Sequence, residues 1–72
     1  MKLEQVLPML RDGQTITRQK PQKNGLALVL FVKINNDKLQ SRFITSYGDE
    51  FDWAYYTLKT EDVLAENWEV VE

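Results

Sequence analysis

The chain has 72 residues, with 9 Lys and Arg against 11 Asp and Glu, a net charge of −2 and a pI near 5.0. That length holds a single domain, residues 1–72, and a domain so small buries only about 60% of the surface its unfolded chain exposes, so it needs good packing or self-association. Cysteine and histidine are both missing, which removes disulfides, the usual zinc sites and most acid–base or nucleophilic catalysis, while the acidic balance argues against a nucleic-acid partner.

In chain order, MKLEQVLPMLRDG places Leu3, Val6, Leu7 and Leu10 at i, i+3, i+4 and i+7, one apolar stripe of a short helix. Gly13 after Arg11-Asp12 is a left-handed stop for it. Pro8 sits inside the pattern, so the helix either kinks or has its regular part nearer Pro8. QTITR (Gln14 to Arg18) reads as a short strand with Ile16 inward, and QKPQKNG (Gln19 to Gly25), whose one apolar residue is Pro21, reads as a loop. LALVLFVKI (Leu26 to Ile34) is apolar on both alternating faces, which marks a central strand covered on two sides, one cover being a second subunit.

NNDK (Asn35 to Lys38) is a turn, and LQSRFITSY answers it as the second arm of a hairpin. Gly48-Asp49-Glu50 turns again. FDWAYY then places Phe51, Trp53 and Tyr55 on one face, with Trp53 and Tyr55 in the core, and leaves Tyr56 pointing elsewhere. Thr60 caps one helical turn opened by Glu61 and Asp62, carboxylates that suit a helix start. Trp68 and Val70 alternate with Glu69 and Val71 in a closing strand, and Trp68 docks the end of the chain. The sum is an α+β fold: a short N-terminal amphipathic helix packed on a small antiparallel β-sheet with a closing C-terminal strand.

Chemistry is sparse. Asp49-Glu50-Asp52 and Glu61-Asp62 lack the spacing of a calcium loop and read first as a solvated turn and a charged helix start. Arg18, Lys20 and Lys23 fall within six residues beside Asn24-Gly25. That cluster reads first as wet surface, and second as a loop offering cations and N–H groups to a phosphate. No metal site, cofactor or catalytic set emerges, so the expectation is a binding protein and not an enzyme. The longest apolar run, Leu26 to Val32, is too short to span a bilayer and is internal. A cytoplasmic setting is therefore expected.

YTLKTEDVLAENWEVVE resembles the C-terminal signature of the Thoeris anti-defence two-like family of phage domains. In that family an aromatic residue is followed six positions on by an aspartate, then by Leu-Ala-Glu-Asp-Trp and a valine strand. Tyr56 and Asp62 match the first pair, and Val63 to Trp68 continue the match, with Asn67 where the family prefers aspartate. LRDGQTITR is similar to the family's Leu-Lys-x-Gly-Lys-x-Val-x-Arg, with Leu10, Gly13, Ile16 and Arg18 in place. Where the family has Gly-Trp-Asn-Gly, this chain keeps only Asn24-Gly25.

The resemblance implies a homo-oligomer that sequesters a nucleotide-derived immune signal, such as cyclised ADP-ribose, without cleaving it. A protein–protein inhibitor of a Cas9-type nuclease, or a phage protein with a role outside defence, are the alternatives. A nucleotide needs cations for its phosphates and an aromatic surface for its base. The ligand-binding set expected on that basis is Arg18, Lys20, Lys23, Asn24, Tyr56, Thr60 and Asp62.

Overall fold

The computed structural model describes residues 1–21, 27–45 and 48–71. Helix α1 (Leu3–Arg11) is followed by strands β1 (Thr15–Pro21), β2 (Ala27–Asn35), β3 (Lys38–Thr45) and β4 (Ala54–Tyr55), helix α2 (Thr60–Leu64) and strand β5 (Glu69–Val71). The strands form one antiparallel sheet in the order β4-β3-β2-β1-β5, with α1 packed on one face.

The sequence stripe on α1 places Leu3, Val6 and Leu10 against the sheet. Leu7, expected in that stripe, is 39% exposed and faces a groove between α1 and α2 instead. The helix continues through Pro8. Glu4 and Pro8 are both exposed, so water can serve the Glu4 carbonyl that proline leaves without an N–H. Gly13, at a φ of +93°, ends the helix. The Gln14 N–H reaches the Met9 carbonyl at 3.0 Å and the Gly13 N–H reaches Leu10 at 3.1 Å, the paired bonds of a Schellman stop.

The helix side of the sheet carries Ile16 of β1, Leu30 and Val32 of β2, and Val70 of β5, with Trp68 sealing one end. Ile16 is inward, as its place in QTITR implied. At the tip of the β2–β3 hairpin, Asn36 and Asp37 take φ of 53° and 63°. Two left-handed residues give a turn whose twist matches the strands it joins.

Three further expectations are corrected. Gln19, Lys20 and Pro21 belong to β1 and not to a loop: Gln19 pairs with Val29, Lys20 with Leu28 and Pro21 with Ala27. Their polar sequence hides a strand because an inward lysine is tolerated once it is paired with a carboxylate. Lys23 and Asn24, with the rest of 22–26, lie outside the described residues.

The second correction is FDWAYY. Only Ala54–Tyr55 pairs as a strand, and Phe51 and Tyr55 are 55% and 73% exposed. Glu50 stands opposite Ile44, which in an unbroken ladder would set Trp53 opposite Ser41. Ala54 stands there instead. One extra residue in the edge segment reverses the alternation beyond it, as a β-bulge does. Trp53 and Tyr55 therefore leave the helix side, and Tyr56 takes the inward position.

Third, Thr60 is the first residue of α2 and not its cap. Lys59 holds the cap position.

Candidate functional site

Alternation along β1 turns Ile16, Arg18 and Lys20 to the same side of the sheet, towards α1 and α2. Burying Ile16 is favourable; burying the two cations beyond it requires counter-charges. Asp62, on the third position of α2, supplies one. Its carboxylate is fully enclosed, and its Oδ1 accepts from Arg18 Nε at 3.2 Å and lies 3.1 Å from Arg18 Nη2 and 3.3 Å from Lys20 Nζ. The Tyr56 hydroxyl donates to Oδ2. The Lys59 N–H donates to the same oxygen at 3.0 Å, closing the start of α2.

The Asp62 backbone is engaged as well. Its carbonyl accepts from Trp68 Nε1 at 2.9 Å, and the Arg18 guanidinium lies 5.7 Å from the centre of the Trp68 ring. Around this centre, Lys20 Nζ meets Glu61 Oε1 at 2.9 Å, and Asn67 Nδ2 donates to the Gln19 carbonyl at 2.9 Å. Asn67 thus serves the edge of β1 just beyond the point where β5 pairing ends at Thr17. Phe43 meets the Tyr56 ring edge-on at 6.4 Å and fixes its orientation.

The protonation states follow from these contacts. Burial pushes the Asp62 carboxyl up, but the Tyr56 and Lys59 hydrogen bonds and the charge of Lys20 hold it below the usual carboxylate value. Burial pulls Lys20 down, yet the Glu61 hydrogen bond and the fields of Tyr56 and Asp62 raise it overall. Tyr56 is raised by burial and by its bond to Asp62, which keeps it a neutral donor. Glu61 is lowered by its hydrogen bond to Lys20.

Four of the seven expected residues therefore meet: Arg18, Lys20, Tyr56 and Asp62. Thr60 is exposed beside Glu61, and Lys23 and Asn24 lie outside the described residues. Sequence reasoning did not place Glu61, Asn67 and Trp68 in this cluster. The signal for a buried carboxylate was the run of Ile16, Arg18 and Lys20 on one strand face.

The cluster is balanced, two cations against two carboxylates. Asp62 is inaccessible, whereas the Glu61 side chain is 59% exposed, so Glu61 is the partner that an incoming anion can replace. Beside β1, Thr17, Arg18, Gln19, Val29, Asn67 and Glu69 line an open groove of about 400 Å³. Among the described residues no group of three or more metal-type ligands occurs, and no helix is long and apolar enough to cross a membrane.

The family model for the Thoeris anti-defense 2-like domain matches residues 1–71. No curated protein and no solved structure matches the chain.

Proposed function

The chain belongs to the Thoeris anti-defense 2-like family, and on that premise we propose that it counters host defence by holding a nucleotide-derived immune signal without cleaving it. The observation that carries this reading is the meeting of Arg18, Lys20 and Tyr56 at one point, where the outermost carboxylate, Glu61, is exposed. A phosphate of the ligand takes the place of Glu61 on Lys20 Nζ, while Asp62 stays bound and keeps both cations in position. Exchange there leaves Lys20 paired throughout, because the phosphate brings the negative charge that the exposed Glu61 withdraws. Thr60, which precedes Glu61, is exposed beside it. A chain without histidine or cysteine is better equipped to hold such a ligand than to hydrolyse it, and sequestration works by mass action once sites outnumber the signal.

Calorimetry against cyclised ADP-ribose and a panel of cyclic di- and trinucleotides tests this. Saturable binding is expected, with Glu61→Gln tightening it several-fold by removing the competing charge and Lys20→Gln weakening it about tenfold, the effect of losing ~1.4 kcal/mol. Silence across the panel from a folded sample would transfer the assignment to the second reading, a protein–protein inhibitor.

That reading has its own observation. Leu7, Val63 and Leu64, the last 73% exposed, line a groove with Lys2, Glu4 and Glu66 between the two helices. Exposed apolar side chains grouped this way mark an interaction surface. We propose this surface also for the homo-oligomer, in place of the second face of β2 to which the sequence pattern assigned a subunit. Light scattering is expected to give a mass that is a multiple of the 8.5 kDa chain, and Leu64→Lys is expected to return it to monomer; a wild-type monomer at micromolar concentration would exclude self-association.

A further inference from the structure

On the sheet face away from α1, Thr15, Phe31, Arg42, Ile44, Trp53 and Val71 line an open cavity of about 240 Å³. It exists because of the slip before Ala54, which brings Trp53 over this face. Its walls are apolar and aromatic, with Arg42 the one charged residue among the described residues that line it. Arg42 Nη2 is held by Glu50 Oε2 at 3.0 Å, and that glutamate side chain is 62% exposed. Arg42 Nε is enclosed and, among the described residues, is the one buried side-chain nitrogen or oxygen without a hydrogen-bond partner. An enclosed donor left unpaired is costly and uncommon in folded proteins.

We propose that this cavity is a binding site for a small aromatic or branched apolar carboxylate. The Nε–H and the neighbouring Nη2 of an arginine form a side-on fork that matches the two oxygens of a carboxylate. Glu50 uses half of that fork from the solvent side. When Glu50 swings away, the fork opens on the solvent side: a ligand carboxylate takes Nη2 and the Nε–H uncovered with it, and its apolar body lies among Phe31, Ile44, Trp53 and Val71. The shape follows the general pattern of ligand sites, a largely apolar hollow with one well-placed polar group. A body of one ring fits the volume. This site is on the opposite face of the sheet from the Arg18–Asp62 cluster and rests on none of the reasoning about nucleotide signals.

The test uses the intact chain labelled with ¹⁵N, following the side-chain Nε–H resonance of Arg42 while phenylacetate is added, with 2-phenylacetamide and inorganic phosphate as controls. The expected result is a saturable shift with phenylacetate and at least tenfold weaker binding of each control. Arg42→Lys and Trp53→Ala, both checked for folding by circular dichroism, should each weaken phenylacetate tenfold or more. Equal binding of the amide would overturn the proposal, since the charge would then be irrelevant. Equal binding of phosphate would reduce the site to a surface anion contact. An Nε–H that exchanges rapidly with water in the free protein, or one that shifts with protein concentration alone as the mass doubles, would assign the donor's partner to solvent or to a second copy and would equally defeat it.

Discussion

Trp68→Ala is expected to cost about 3–5 kcal/mol, the range for deleting a large buried aromatic side chain. Trp68 is 0% exposed, it closes the end of the core beside Ile16 and Val70, and its Nε1–H is committed to the Asp62 carbonyl. Its backbone also ties the two ends of the chain. The Trp68 N–H donates to the Met1 carbonyl at 2.9 Å, and the Met1 amino group donates to the Trp68 carbonyl at 2.7 Å. Domains of this size hold only a few kcal/mol in reserve, so the alanine variant is expected to be largely unfolded at room temperature by circular dichroism. Trp68→Phe separates packing from hydrogen bonding. It keeps a ring in place but leaves the Asp62 carbonyl without its donor, and should lower stability by roughly 1–3 kcal/mol in urea titrations. An alanine variant melting within two or so degrees of wild type would mean that the closing segment does not hold the fold together.

What could be read from sequence divides along a physical line. Signals confined to a few neighbouring residues were legible: Gly13 as a helix stop, Asn36-Asp37 as a hairpin tip, Ile16 and Trp68 as core. Each depends on one backbone conformation or one alternation. The inward turn of Tyr56 depends instead on an extra residue between Glu50 and Ala54, and a register slip has no signature in a stretch of six residues that alternates either way. Lys20 was hidden for another reason. Its burial is decided by Asp62, 42 positions later, and polarity alone assigns such a residue to a loop. At the candidate site, residue type and resemblance brought Arg18, Lys20, Tyr56 and Asp62 together on paper. Their mutual satisfaction was not legible, because it depends on where α2 sits above β1. That difference matters for function: an open cationic pocket attracts any phosphate, whereas a neutral, closed cluster admits one only by exchange with Glu61.

The strongest consequence of that closure is expected at Asp62. Asp62→Ala removes the carboxylate shared by Arg18, Lys20, Tyr56 and the Lys59 N–H. Of the two buried cations, Lys20 then keeps the exposed Glu61, and Arg18 keeps the Trp68 ring and a long contact of 3.5 Å from Nη1 to Asn67 Oδ1; breaking a buried pair from one side costs about 3–5 kcal/mol. Asp62→Asn is the more informative variant, since it retains the shape and an acceptor for Lys59 while removing the charge. Because the Asp62 carboxyl is held below its ordinary value of 3.8, its ionised form contributes stability that is fully present above that value and is lost as pH falls through the lower, folded one. Lys20 has the opposite sign. Its ammonium is raised above the ordinary 10.5, so its contribution is complete below that value and disappears only as pH rises through the folded one. Between the ordinary values of Glu61, 4.5, and Tyr56, 10.0, the cluster is indifferent to pH. Urea midpoints for wild type and Asp62→Asn at pH 7, 4.5 and 3 should therefore differ most and equally at the first two, with the gap shrinking at the third as the wild-type carboxyl takes up its proton. Taking the difference between the two proteins cancels the carboxylates outside the cluster that titrate in the same range. A gap that stayed constant down to pH 3 would place the stabilisation in the shape of the side chain, and a gap near zero at pH 7 would mean that Arg18 and Lys20 do not depend on this carboxylate at all.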